Sequence, residues 1–242
     1  MGFIKKVYSI LAFQLALTAA GVCWFTVNTA NNCEIPRNEL TGSSCEFDGI
    51  LFLKPGSTSW WVVTYWGWWV AALMIAIFVE IALICCRHLA RKSPVNYILL
   101  AIFTICEAYS VSATCIYYAA QSPWVVIEAF CGTAAITLAC TAYAFTTKND
   151  FTYGGGFIWL IVTALMFMLI IMIITTFSYI LYDLLIALMV FLLGMFLIHD
   201  TQLIVGKGKW RLSMDDYIIG ALILYIDIIT IFLYMLALFG KK

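Results

Sequence analysis

The sequence predicts an all-α membrane protein whose seven helices cross the bilayer. Of its 242 residues, 64% are hydrophobic and 11% are charged, whereas about 25% of the residues of a typical soluble domain are charged. The apolar residues gather into seven runs, each near the roughly 20 residues that a helix needs to cross a bilayer. Because no hydrophilic stretch is long enough for a second domain, we expect residues 1–242 to form a single transmembrane domain.

Each run is predicted to be a continuous helix, since glycine and proline are sparse inside it. A long polar loop at 30–58 separates the first two runs. The predicted helices cover residues 7–29, 59–86, 95–118, 124–146, 156–178, 179–199 and 217–239.

Basic residues indicate the orientation of these helices. They gather in the connections that lie on one side if every run spans, whereas the other side has Arg37 and Lys54 diluted by acidic residues. The positive-inside rule therefore places the N-terminus in the cytosol and the 30–58 loop in a lumen or outside the cell. Lys241 and Lys242 fall on the wrong side for this rule, so a re-entrant last helix is the alternative to seven full spans. The cytosolic cluster comprises Lys5, Lys6, Arg87, His88, Arg91, Lys92, Lys148, Lys207, Lys209 and Arg211.

The 30–58 loop contains Cys33 and Cys45. If the loop lies in an oxidising compartment, we expect a disulfide between them. The stretch SWWVVTYWGWW that follows the loop is rich in tryptophan. This composition favours an interfacial aromatic belt at the start of the second helix, with an aromatic ligand cage as the alternative.

Six carboxyl groups fall inside or at the edge of apolar runs: Glu80, Glu107, Glu128, Asp183, Asp200 and Asp227. An aspartate at the centre of a spanning helix costs roughly 2.5–3.5 kcal/mol, so such residues usually mark an ion, proton or substrate path. We interpret Asp183 as an interfacial or capping residue. Glu80 shares a helix face with Arg87 and Arg91, and Glu107 and Glu128 are interpreted as buried, protonated groups that join helices.

Asp200 and Asp227 are the sharpest candidates for function. The turn between the last two helices folds them back on each other, so both carboxyl groups could meet in the cytosolic half of the bundle. Two such groups in a low dielectric would share a proton, and Arg87 or Arg91 could close the site when both are charged. The alternative is that both aspartates only fix helix packing. We interpret the neighbouring His199 as a solvated helix-end residue, with tuning of Asp200 protonation as the alternative.

Several segments resemble the transmembrane Bax-inhibitor-motif family, and its Lifeguard branch in particular. The segments FIKKVYSILAFQLALT, CCRHLARKSPVNYILLAIFT and FTTKNDFT resemble the family's opening, its second-to-third helix connection and its turn after the fourth helix. The pair HDTQLIVG and MDDYIIGALILYIDIITIFLYMLALFG resembles the family's most specific signature.

This resemblance implies a seven-helix bundle with the last helix at its centre. It also implies a pH-sensitive calcium leak from internal stores, in the endoplasmic reticulum or Golgi, and suppression of apoptosis. The plasma membrane and endolysosomes are alternative locations. The family's residues map to a di-acidic sensor at Asp200 and Asp227, an acidic pair at Asp215 and Asp216, and a latch arginine at Arg87 or Arg91.

We therefore expect a channel that binds Ca²⁺ weakly through Asp200 and Asp227, with Ca²⁺ as the permeant ion and no cofactor. The rival is a non-conducting scaffold that binds apoptosis regulators or death receptors. An enzyme is not expected, because both histidines lie near predicted helix ends and no GxSxG elbow is present. A net charge of zero gives no reason to expect nucleic acid.

Overall fold

The structure is a computed structural model that describes residues 2–33, 46–47, 50–51, 53–147, 164, 166, 179–206, 212–213 and 215–240. Within these ranges the regular secondary structure is helical apart from one pair of short strands. The helices are α1 (Gly2–Asn31), α2 (Thr58–Thr64), α3 (Gly67–Cys85), α4 (Arg87–Arg91), α5 (Val95–Gln121), α6 (Pro123–Thr146), α7 (Tyr179–Val205) and α8 (Tyr217–Phe239).

Six of the described helices are long and apolar enough to cross a membrane: α1, α3, α5, α6, α8 and residues Tyr182–Val205 of α7. At 1.5 Å per residue, a helix of 27 residues such as α5 is about 40 Å long, which exceeds the roughly 30 Å hydrocarbon core of a bilayer. The protein is therefore an integral, multi-pass membrane protein. The predicted helix at 156–178 lies outside the described residues except for Ala164 and Met166, so the count of seven stays a prediction.

The ends of the long polar loop are tied together. The strands β1 (Glu46–Phe47) and β2 (Ile50–Leu51) pair antiparallel, and Cys33 forms an isolated bridge with Leu53. Cys33 is in a disulfide. Its predicted partner, Cys45, lies outside the described residues, so the pairing itself stays a prediction.

The second predicted helix, 59–86, is divided in the structure. Ser57 caps α2 by accepting a hydrogen bond of 3.2 Å from the backbone N–H of Trp60, and α2 ends at Thr64. Tyr65 and Trp66 form a turn before α3 begins at Gly67. Hydropathy alone predicts one continuous run here because both sides of the turn are equally apolar.

The described helices group into two compact units. One unit, Tyr8–Glu128, contains most of α1 with α2 to α5. In it α3 packs along α5, and the buried Gln14 of α1 donates a hydrogen bond of 2.9 Å to the Thr104 hydroxyl of α5. Nothing in this grouping tests the prediction of a single domain.

The other unit comprises Met1–Val7 and Ala129–Lys242, and in it α7 packs along α8. The last helix is buried on every face near its start, because five consecutive residues from Ile218 to Leu222 are all buried. Small residues allow close packing: a methyl group at Gly220 would lie 3.5 Å from side-chain atoms of both Ile204 and Val7. This unit contains the candidate site.

Candidate intramembrane carboxyl site

Four consecutive polar residues lie buried near the end of α7. Counted over all their atoms, these residues are between 0% and 5% exposed: His199, Asp200, Thr201 and Gln202. Since successive residues of a helix point about 100° apart, the helix is enclosed on all sides at this level. The sequence predicts the end of this helix at 199, but α7 continues to Val205. The site therefore lies inside the helix and not at its end.

The side chain of His199 contacts Asp200 directly. Its Nδ1 atom lies 2.7 Å from Asp200 Oδ1, and both side chains are 7% exposed. On its other side the imidazole packs against Phe196, with 6.1 Å between ring centroids. The interpretation of His199 as a solvated helix-end residue is therefore wrong. The helix α7 extends past this residue, and its ring is buried.

Asp227 lies midway along α8 and is 6% exposed. Its carboxyl group lies close enough to that of Asp200 for a side-chain hydrogen bond between them. Such a bond needs a proton on one of the two groups, since an ionised carboxylate only accepts. The Oδ2 atom of Asp227 is buried and has no hydrogen-bond partner within the described part of the chain. The two aspartates singled out from the sequence thus lie side by side.

The acidic pair before α8 is divided between two environments. Asp216 precedes the first residue of α8 and is buried, whereas Asp215 is exposed. Next to them, the Lys6 ammonium lies 5.4 Å from the centre of the Tyr217 ring. Asp216 and Asp227 are eleven residues apart, which corresponds to about 16 Å along the helix axis. Asp216 is therefore a separate buried acid and not a third member of the Asp200–Asp227 pair.

The candidate latch arginines belong to the Tyr8–Glu128 unit. Arg87 and Arg91 are the first and last residues of α4, and both are exposed. Their contact with the aspartates stays a prediction.

The remaining intramembrane acids separate into a pair and a single residue. Glu80 of α3 and Glu107 of α5 are both half-buried and lie near enough to interact electrostatically. Glu128 of α6 is exposed, beside Ile127, which is also exposed. The interpretation of Glu128 as a buried group is therefore wrong, because its side chain is exposed.

A bound metal ion would need more ligands than the aspartate pair offers. Among the described residues, no group of three or more histidine, cysteine, aspartate or glutamate side chains is arranged to hold a metal ion. Ca²⁺ usually takes six to eight oxygen ligands. The pair could therefore contribute only part of a coordination shell, and weak Ca²⁺ binding there stays a prediction.

Sequence reasoning considered His199 as part of the site only as an alternative, and it missed the buried neighbours Thr201 and Gln202. The signal was present in the sequence: four polar residues in a row interrupt an otherwise apolar helix. A polar cluster of this kind inside a spanning helix is expensive unless its members have partners. Because the predicted helix ended at residue 199, most of this polar cluster lay outside the predicted span, and the cost of placing it in the membrane was not counted.

The fold and the site define a class: a polytopic helical membrane protein with a buried pair of carboxyl groups shared by its last two helices. The model of one protein family, described as "Inhibitor of apoptosis-promoting Bax1", matches residues 1–242. The chain belongs to this Bax-inhibitor family, as the resemblance of its motifs predicts.

Individual relatives place the chain near the lifeguard proteins. It is 33% identical over 245 residues to human "Protein lifeguard 3", covering 99% of this chain and 68% of the relative. The mouse protein of the same name is 30% identical over 243 residues, covering 99% and 69%. "Protein LIFEGUARD 4" of Arabidopsis thaliana is 30% identical over 246 residues, covering 98% and 84%.

Proposed function

We propose that this protein suppresses cell death by letting Ca²⁺ leak from an intracellular store, and that Asp200 and Asp227 gate the leak according to pH. The single observation that carries the proposal is the contact between these two buried carboxyl groups on adjacent helices. The family match supports the anti-apoptotic part of the proposal.

The carboxyl pair has the chemistry that a weak cation site needs. Two ionised carboxyl groups side by side repel each other in a low dielectric. A proton or a passing cation relieves this repulsion. Because the pair alone supplies few of the oxygens that Ca²⁺ prefers, it would hold the ion briefly, and brief binding favours passage over storage.

Protonation would control this site in two opposing ways. With both groups neutral, the pair loses its attraction for Ca²⁺. With both groups charged, the pair would draw in the latch arginine, Arg87 or Arg91, and close the path. We therefore expect the leak to be greatest when the pair holds one proton, which gives a bell-shaped dependence on pH.

The wider arrangement is also part of the proposal. The burial of the start of α8 on every face supports a central position for this helix in a bundle of seven. The cytosolic N-terminus follows from the basic residues of the predicted cytosolic side. The endoplasmic reticulum or Golgi is the proposed location, because a leak from a calcium store requires a store membrane.

Calcium flux in proteoliposomes tests the proposal. Asp200→Asn/Asp227→Asn keeps the size of both side chains but removes both charges, so we expect the leak to fall by roughly tenfold or more, as for loss of about 1.4 kcal/mol of ion stabilisation. Asp183→Asn makes the same change near the start of α7 and should retain the leak. An Asp200→Asn/Asp227→Asn protein that leaks like the wild type would contradict the proposal.

A further inference from the structure

A cavity of about 410 Å³ lies in the Tyr8–Glu128 unit, between the turn that divides the second predicted helix and the end of α5. Its volume falls within the roughly 300–1,000 Å³ typical of small-molecule sites. The unit that contains the aspartate pair contributes none of the described lining residues. Those residues are Val62, Trp66, Trp69, Ala113, Thr114 and Tyr117.

The cavity lies at the level of a membrane interface. Trp69 is two residues from the start of α3 and Tyr117 is four residues from the end of α5, which places them about 3 Å and 6 Å from the helix ends. Trp66 and Tyr117 are 65% and 47% exposed. In a protein that spans a bilayer, rings exposed at this depth face the boundary between lipid headgroups and chains. Membrane lipids that reside at this boundary can therefore reach the cavity.

The lining excludes charged headgroups. None of the six described lining residues carries a charge, so a phosphate, carboxylate or ammonium group would enter without a counter-ion. The walls are instead rigid aromatic rings over the small side chain of Ala113, which is 3% exposed. Flat rings facing a small residue favour a flat, rigid apolar body over a flexible acyl chain, because a rigid ligand loses less conformational freedom on binding.

The polar atoms of the cavity favour a ligand that donates a hydrogen bond. The Thr114 hydroxyl donates to the Ser110 carbonyl at 3.0 Å, and the Trp69 indole N–H donates to the same carbonyl at 3.3 Å. Both donors are thereby directed to the helix backbone. The lone pairs of the Thr114 oxygen stay able to accept, and a ligand hydroxyl is their natural partner.

We propose that this cavity is a binding site for a membrane sterol, whose fused rings lie between Trp66, Trp69 and Tyr117 and whose hydroxyl donates to Thr114. A sterol is neutral, flat and rigid, carries one hydroxyl, and resides at the depth of the cavity. The site is independent of the calcium proposal, since it uses none of the residues assigned to the leak.

Photolabelling tests this site. The full-length protein is reconstituted in phosphatidylcholine vesicles with a trace of diazirine-bearing cholesterol, irradiated, and mapped by peptide mass spectrometry. We expect labels on peptides that contain residues 62–69 and 113–117, and competition by cholesterol but not by diacylglycerol. Labels spread evenly over the lipid-facing helices, or equal competition by diacylglycerol, would overturn the proposal.

Two variants sharpen the test. Ala113→Leu fills the cavity and should abolish the specific labels, whereas Ala101→Leu, at an exposed position on the same helix, should leave them intact. Thr114→Val keeps the shape of the side chain but removes its oxygen. In the wild type, cholesterol should compete about fivefold better than its methyl ether, which cannot donate. The two should compete equally in Thr114→Val, and a persistent difference would exclude Thr114 as the acceptor.

Discussion

At the scale of single residues, His199 changes the interpretation of the carboxyl site. A carboxylate with an imidazole 2.7 Å away is in a different electrostatic environment from one that faces only a second carboxylate. When protonated, the imidazole would stabilise a negative charge on Asp200. The site therefore contains an imidazole and two carboxyl groups, and Asp200 interacts with both His199 and Asp227.

Replacing His199 should move the pH profile of the leak. His199→Gln keeps a hydrogen-bond donor but cannot become a cation, and it removes the ring nitrogen that lies 2.7 Å from Asp200 Oδ1. We expect the pH profile of the leak to change when this contact is lost, since charge-assisted hydrogen bonds contribute about 1.5–3 kcal/mol. Flux measured in proteoliposomes across pH reads this change directly.

The other histidine provides the matched control. His88→Gln changes an exposed residue of α4 in the other unit and should leave the pH profile where it is. Asp200→Asn should remove one limb of the profile, because the pair then has one titrating carboxyl. A wild-type profile in both His199→Gln and Asp200→Asn would show that another group senses pH.

The residues of the pair could be predicted from the sequence, but the imidazole could not be placed. Asp200 and Asp227 stand out because an aspartate among apolar residues is costly wherever the chain folds. The role of His199 depends on whether α7 continues for another turn. Hydropathy does not decide this, because the added turn, from Asp200 to Val205, begins with the polar residues of the site itself.

At the scale of elements, the contact between α7 and α8 holds the two aspartates together. Gly220 on α8 lets this helix approach Ile204 of α7 and Val7 of α1. Because the site is one to two turns further along α8, a change in this packing would also change the distance between the carboxyl groups.

Two substitutions of Gly220 should affect the stability of the protein in opposite directions, because one side chain fits the contact and the other does not. Gly220→Ala adds a methyl group at an ordinary contact distance of 3.5 Å and should stabilise the protein by about 0.4–1 kcal/mol, because alanine restricts the unfolded chain. Gly220→Leu must displace Ile204 or Val7 and should cost about 1–3 kcal/mol. Thermal unfolding of the purified protein in detergent measures both changes.

A control for side-chain size is available at Gly67. A methyl group there would have nothing within 4 Å, so Gly67→Leu should change the unfolding temperature little. If Gly220→Leu is as stable as Gly67→Leu, the helices do not pack at Gly220 as the structure describes.

Sequence patterns predict the existence of elements better than their internal breaks. The start and end of α8 coincide with the predicted run at 217–239. The turn at Tyr65 and Trp66 has no proline, and its rings are as apolar as the helices on either side. Trp61 stacks on Tyr65, with 4.9 Å between ring centroids. This contact depends on the folded backbone, so a hydropathy profile cannot predict it.

At the scale of the whole molecule, composition alone determines the class of protein. A chain with 64% hydrophobic residues has too much apolar surface to bury in water, and six described helices have the length and hydropathy to cross a bilayer. The family and the membrane location agree with this class. What the whole molecule does in a cell depends on whether ions pass through it or partners bind to it.

The leak and scaffold functions make opposite predictions for one variant. Asp200→Asn/Asp227→Asn preserves side-chain volume and removes both charges, so the surface available to protein partners stays unchanged. If calcium leak protects cells, those expressing this variant should retain a full store and lose protection against an apoptotic stimulus. Store calcium and caspase activity, measured in the same cells at matched protein levels, test the connection.

The comparison with Asp183→Asn makes this experiment decisive. That variant alters one aspartate of α7 outside the carboxyl pair, so it should keep both the leak and the protection. If the double variant loses the leak but still protects cells fully, protection does not need ion flow. The protein would then act through partners that recognise its helices or loops, and the buried carboxyl pair would serve conduction alone.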